Sequence, residues 1–192
     1  VQSWVLPHPQ VVQFLNLYYM SLHLTSMALF LVWMWWRYRE HYPRARTLVA
    51  VTTLLCMLVQ FIPVAPPRMF PELGFVDTAI EYGQSVYGWG GSAVGSQLAA
   101  MPSVHVAWAL ILAWFAWRVM SGPIRYLIWF HAVMTVFVVV ATANHWWMDG
   151  IVAAGLMALV ILGQGLWAGW RERRRTDGAA RSVLPNDDVL VS

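Results

Sequence analysis

His145 and Asp149 stand four residues apart in Asn144-His145-Trp146-Trp147-Met148-Asp149, and His105 closes Met101-Pro102-Ser103-Val104-His105. On a helix, residues i and i+4 share a face. A carboxylate at 149 can therefore hold one imidazole nitrogen of His145, fix its tautomer and leave the other nitrogen to attack an electrophile. The same carboxylate would steady the positive charge that attack creates. The competing reading of the pair is an acid and a histidine at a helix start, facing lipid headgroups. His105 falls on the first turn of a helix that Pro102 suits. Backbone N–H groups at Ser103 and its neighbours lack helical partners there, a setting that favours a bound phosphate. His105 is then placed to protonate a leaving oxygen; taken alone, it is an interfacial histidine at the end of a span. Arg68 follows Pro66 and Pro67, which fix the local backbone. Its guanidinium can grip phosphate oxygens in pairs or lie along lipid phosphates. A metal held by His105, His145 and Asp149 is the rival chemistry. The arginine and the helix terminus suit an anion better than a cation, so no metal and no other cofactor is expected.

The elements that must position these groups are membrane helices. The chain is 59% hydrophobic and 11% charged, whereas a soluble domain carries about 25% charged residues. Several apolar runs approach the roughly 20 residues that cross a bilayer. They predict an all-α, polytopic membrane helical bundle of about five spans, near residues 11–36, 47–64, 102–120, 123–142 and 146–170. Tryptophan and tyrosine gather near the span ends, as interfacial anchors do. Residues 1–10 form a short lead with Pro7 and Pro9. Residues 65–100 form the one long connection, an expected ordered outer cap with short helical pieces, since it keeps Phe75, Tyr82, Tyr87 and Trp89 among its glycines. Every basic residue of the 12 is arginine. Arg37, Arg39, Arg44, Arg46, Arg118, Arg125 and the cluster Arg171, Arg173, Arg174, Arg175 and Arg181 fall on one side of five alternating spans. That side is cytoplasmic by the positive-inside rule. Arg68 falls on the other side, with both histidine motifs. The arginines thus read as topology and headgroup contacts, not as nucleic-acid binding. Residues 1–170 are read as the membrane domain and 171–192 as a largely disordered cytoplasmic tail. Cys56, the single cysteine, cannot form an internal disulfide. His23 and His131 lie within spans, where an interhelical hydrogen bond is the expected role; a headgroup pocket is the other for His23. Trp146 and Trp147 are candidate walls of the site.

In chain order, Ala65-Pro66-Pro67-Arg68, Ala100-Met101-Pro102-Ser103-Val104-His105 and His145-x-x-x-Asp149 resemble the three motifs of the type-2 phosphatidic acid phosphatase superfamily. The wording is nearest its inositol phosphorylceramide synthase-like branch in bacterial form. Gly74-Phe75-Val76-Asp77-Thr78 and Ala107-Trp108-Ala109-Leu110 add to the likeness, which runs from about Thr47 to Gly165. It implies metal-independent phosphoryl transfer through a phosphohistidine: His145 as nucleophile, Asp149 orienting it, His105 as acid, Arg68 and backbone near Ser103 holding phosphate. Three positions depart from the wider pattern. Phe61 stands where a lysine is usual, Val139 where an arginine is usual, and Val104 where a glycine separates serine and histidine. Gln60, Tyr87, Gln97 and Asn144 are candidates to replace the lost charge. The family core has six spans, so the sixth either precedes Val1 or is absent.

These readings together predict an integral plasma-membrane enzyme with its site on the extracytoplasmic side. It cleaves or transfers phosphoryl or phospho-headgroup units of a lipid phosphate or phospholipid. Water or an alcohol acceptor completes the reaction; no acceptor pocket is legible in the sequence, so hydrolase and transferase both stay open. The alternative is a non-catalytic membrane protein of the same fold that binds lipid or serves assembly.

Overall fold

The computed structural model describes residues 1–85 and 97–183, with side chains up to Asp177. Among the described residues the chain is all-α. Helix α1 spans Gln2–Val5, α2 Pro9–Arg37, α3 Tyr42–Val59, α4 Thr78–Glu81, α5 Val104–Val119, α6 Ile124–Ala141 and α7 Trp147–Val183. Four of them, α2, α3, α6 and α7, are long and apolar enough to cross a membrane. Large apolar side chains such as Leu29, Trp36, Leu54, Phe130 and Leu166 point outward, as a lipid-facing surface requires. The chain is a membrane-integral helical bundle.

Helix α5 is the third of the five expected spans, and the odd one. It has 16 residues, about 24 Å of helix against a hydrocarbon core of about 30 Å. It packs on α2, α3, α6 and α7 together and is buried nearly all round, through Val106, Ala107, Ala109, Ile111, Leu112, Ala113, Phe115 and Ala116. Such a helix belongs at the centre of a bundle, and its alanines let neighbouring backbones approach closely. The irregular stretch before it is buried too, at Ala100, Pro102 and Ser103. Non-helical backbone at membrane depth persists only under that condition.

Element boundaries differ from the hydropathy reading in two places. Helix α3 begins at Tyr42 and ends at Val59, where residues 47–64 were expected. Pro43 fits the first turn, and Pro63 cannot continue a helix. The last helix runs on through Arg171 to Val183, so residues 171–183 are helical and not the disordered tail expected. Arginine, glutamate and alanine are strong helix formers, and a helix already begun needs no new nucleus.

The long connection between α3 and α5 is an ordered cap with short helical pieces where it is described. Two 3-10 turns, Pro67–Met69 and Pro71–Leu73, precede α4. The lead clamps this cap. The Gln2 amide donates to the Val76 carbonyl (2.8 Å) and accepts from the Val76 N–H (3.1 Å). From α2, Asn16 accepts from Thr78 Oγ1 (3.0 Å) and donates to Gln84 (3.1 Å). Tyr87 and Trp89, with the glycines at 88, 90, 91 and 95, lie outside the described residues, as do Pro185 and Asn186.

Candidate active site

Backbone hydrogen bonds stitch the three motifs together. The Arg68 N–H donates to the Ala143 carbonyl (2.9 Å), and the Ser103 N–H to the Asp149 carbonyl (3.1 Å). Val64 pairs with the strand-like segment before the second motif, its N–H donating to Leu98 (2.7 Å) and its carbonyl accepting from Ala100 (3.2 Å). The Gln60 amide donates to the Pro102 carbonyl (3.0 Å). Between α6 and α7 the chain turns through Ala143 at φ 55°, a left-handed conformation costly for any residue with a Cβ. That turn brings the N–H groups of both Asn144 (3.1 Å) and His145 (3.0 Å) onto the Val139 carbonyl.

His145 precedes α7 and is not part of it, so the expected i, i+4 contact forms across a helix start and not along a helix face. Its Nδ1 lies 3.2 Å from Asp149 Oδ2 and 2.7 Å from the Ala100 carbonyl oxygen. A carbonyl oxygen and a carboxylate can only accept from it, so Nδ1 carries the proton. Nε2 is left as a bare lone pair, buried and without a hydrogen-bond partner among the described residues. Asp149 is itself fully buried and also caps the helix start, Oδ2 accepting from the Trp146 N–H at 2.8 Å. The Asp149 carboxylate and the His145 ring thus meet as their spacing suggests, and a second acceptor, the Ala100 carbonyl, joins them.

His105 sits on the first turn of α5, and its ring centroid is 5.9 Å from that of His145. Tyr19 of α2 lies against His105 at 4.4 Å and within 6.2 Å of His145. The His23 ring meets His105 edge-on at 4.4 Å. His23 does not make the interhelical bond expected of it. Its Nδ1 turns back to the Tyr19 carbonyl one turn earlier in α2 (3.2 Å), and its Nε2 is buried without a partner among the described residues. His131 does make such a bond, with the Tyr18 hydroxyl.

Tyr19, Arg68, Gln97, Asn144 and His145 border a cleft of about 20 Å³, close to the room one water needs. Arg68 is buried, and its Nε donates to Asp77 Oδ2 at 3.1 Å. Asp77 also accepts from the Ile80 N–H through Oδ1 (3.1 Å) and so starts α4. The residues brought together are thus His145, Asp149, His105, Arg68, Asn144 and Gln97. Ser103 is not among the residues lining the cleft. It is fully buried, its Oγ accepts from the Val106 N–H (3.4 Å) and its own N–H is bound to Asp149, so it positions the start of α5. Asn144 lines the cleft while its amide donates to Thr142 Oγ1 (2.9 Å). Gln60 is engaged with Pro102. The two positions that lack family charge are an exposed Phe61 and a buried Val139. Among the described residues no group of three or more His, Cys, Asp or Glu converges as a metal ligand set.

Residue reading alone missed Asp77, Tyr19 and the Ala100 carbonyl. Asp77 carried a signal, as one of three acids in the stretch that holds Arg68; the other two carried none. Of the two tryptophans expected to wall the site, Trp146 does not border the cleft; it packs inward, its ring against Phe70 (6.1 Å) and Phe75 (5.7 Å) and its Nε1 donating to the Ala65 carbonyl (2.9 Å). Trp147 is exposed instead. Trp146→Phe keeps the ring contacts and leaves the Ala65 carbonyl unpaired. It is expected to cost about 1–3 kcal/mol, read as a lower unfolding midpoint in detergent; an unchanged midpoint would mean the bond contributes nothing.

No curated protein and no solved structure matches the chain. The family model of the PAP2 superfamily does match, over residues 1–163, a stretch that takes in all three motifs and the helices positioning them, and the chain belongs to that superfamily.

Proposed function

We propose that this chain is an integral membrane enzyme that cleaves or transfers the phosphoryl or phospho-headgroup unit of a lipid phosphate through a phosphohistidine at His145, without a metal or other cofactor. The observation that carries the reading is the bare, buried Nε2 of His145 beside a cleft that Arg68 borders, with Nδ1 held by two acceptors. Membership of a phosphatase and phosphotransferase superfamily supports it.

The Nε2 lone pair forms the N–P bond as the bond from phosphorus to the lipid oxygen breaks. His105 gives that oxygen its proton. Asp149 and the Ala100 carbonyl stabilise the positive ring of the intermediate. Water or an alcohol then attacks phosphorus, His105 takes the attacker's proton, and the N–P bond breaks to restore His145. Arg68, which borders the cleft, holds the phosphate oxygens. Asn144 and Gln97 add polar contacts, and Ser103 acts through the helix start it caps. A phosphoryl group is larger than the cleft, so the side chains bordering it part as substrate enters. With Phe61 and Val139 in place of two cations, a phosphodiester-like substrate, less charged than a monoester, fits better. This agrees with the likeness to the inositol phosphorylceramide synthase-like branch. Residues 1–170 form the catalytic domain. The arginines of the α2–α3 and α5–α6 turns and of 171–192 face the cytoplasm, and the site opens on the outer side of the plasma membrane.

A second reading, a non-catalytic lipid-binding protein, is favoured by the two missing cations. One experiment separates them. The purified protein in liposomes with EDTA is given radiolabelled phospholipids and polyprenyl phosphates, with and without inositol and other alcohols. An acid-labile, alkali-stable label on the protein is expected, with phosphate release (hydrolase) or a new phospholipid that needs the alcohol (transferase). Lipid binding with neither label nor turnover would establish the second reading.

A further inference from the structure

At the other end of α5 the bundle holds a second, larger cavity. It measures about 330 Å³ and opens between the start of α3 (His41, Arg44), the end of α5 (Trp114, Arg118) and the middle of α7 (Gln164, Gly165). From His105 to Arg118 is 13 residues of helix, about 20 Å, so this cavity is separate from the histidine site. Two arginines, Arg44 and Arg118, line it. Arg118 lies over the Trp114 ring at 4.4 Å from its centroid, and neither Arg44 nor Arg118 has a carboxylate partner among the described residues. The nearest acid in sequence, Glu40, pairs with His41 at 3.4 Å. Gln164 fixes one wall, donating to the Arg44 carbonyl at 3.2 Å. Gly165 leaves it open, since a Cβ there would meet nothing within 4 Å.

A second hollow adjoins the first. It is lined by Trp114, Trp117, Arg118 and Trp129, and it is almost wholly apolar. Trp114 and Arg118 belong to both. A cationic pocket that shares a wall with an apolar groove on a lipid-facing surface has the two halves of a phospholipid binding site. The phosphate is recognised by paired guanidiniums, and a chain lies against indole rings. Basic pockets between helices at the arginine-rich end of a membrane protein hold anionic headgroups in this way.

We propose that this cavity and groove bind one anionic phospholipid, its phosphate between Arg44 and Arg118 and an acyl chain along Trp117 and Trp129. The site is independent of the histidine chemistry, and the test reads binding alone. The full-length protein is placed in phosphatidylcholine nanodiscs containing increasing phosphatidylglycerol with brominated acyl chains. Tryptophan quenching and native mass spectrometry then report occupancy. Saturable quenching with one retained phosphatidylglycerol is expected. Arg44→Gln with Arg118→Gln should weaken retention about tenfold or more. Gly165→Leu should do the same by filling the cavity; it keeps every charge and raises helix propensity, so loss of fold is not the explanation. Equal weakening by Arg37→Gln with Arg39→Gln, which lie outside the cavity, would reduce the effect to general surface charge and overturn the proposal. Displacement of the lipid by soluble inorganic phosphate or glycerophosphate at millimolar concentration would overturn the lipid assignment in favour of a soluble anion. Non-saturable quenching would overturn the site altogether.

Discussion

Replacement of His145 by alanine is expected to lower lipid-phosphate turnover by on the order of 10³- to 10⁶-fold and to abolish the phosphoenzyme. The expectation rests on one nitrogen. Nε2 of His145 is the only lone pair near the cleft whose ring is also backed by a carboxylate, among the described residues. Without it, water would have to attack phosphorus directly, and the protein would keep only what Arg68 and His105 contribute. The informative control is His23→Phe. His23 lies in the same cluster of rings and its Nε2 is equally buried and unpartnered, but its Nδ1 meets a helix carbonyl and no acid. That variant should still label. If His145→Ala labels and His23→Phe does not, the nucleophile has been assigned to the wrong ring. Retention of turnover within about tenfold by both would remove histidine nucleophilic catalysis from these two positions.

The second large effect concerns Asp149, and its size is the point. In a serine-protease triad, changing the aspartate to asparagine costs about 10⁴ in rate because the histidine takes up the wrong tautomer. Here the Ala100 carbonyl stands closer to Nδ1 than Asp149 does, 2.7 against 3.2 Å, and a carbonyl oxygen cannot donate. The tautomer therefore survives Asp149→Asn. What is lost is the charge that stabilises the positive ring, for which a loss of about 10²-fold in kcat/KM is expected. Folding should be little affected, since the asparagine oxygen can still accept from the Trp146 N–H. Measuring kcat/KM for the variant in liposomes decides the matter: a fall near 10⁴ would show that the carbonyl does not hold the tautomer.

His145 and Asp149 are legible because their spacing and chemistry are written in side chains. Ala100 is not, because a main-chain oxygen has the same sequence signature at every residue. Arg68 was legible as a lone arginine beside two histidines. Its partner Asp77, nine residues on in an irregular stretch, follows no helical period that would pair them. Hydropathy marked α2, α5 and α6 to within two residues, since apolar runs and helices coincide there. It placed α3 five residues late, because Arg44 and Arg46 interrupt the apolar run although Pro43 suits a helix start. It also stopped α7 at the end of the apolar run, although the helix continues to Val183. The fold back of Gln2 onto Val76 depends on two chain segments 74 residues apart and leaves no local trace.

The contacts that hold the site in register end, for the most part, on main-chain oxygens: those of Ala65, Ala100, Pro102, Ala143 and Asp149. No point substitution can delete a peptide carbonyl, so each acceptor outlasts changes of side chain at its own position. The vulnerability is of another kind. Adding or removing one residue in the short segments between anchor points would slide every acceptor past its donor by a full 3.8 Å Cα step. Spacing, more than residue identity, is what this site has to inherit intact.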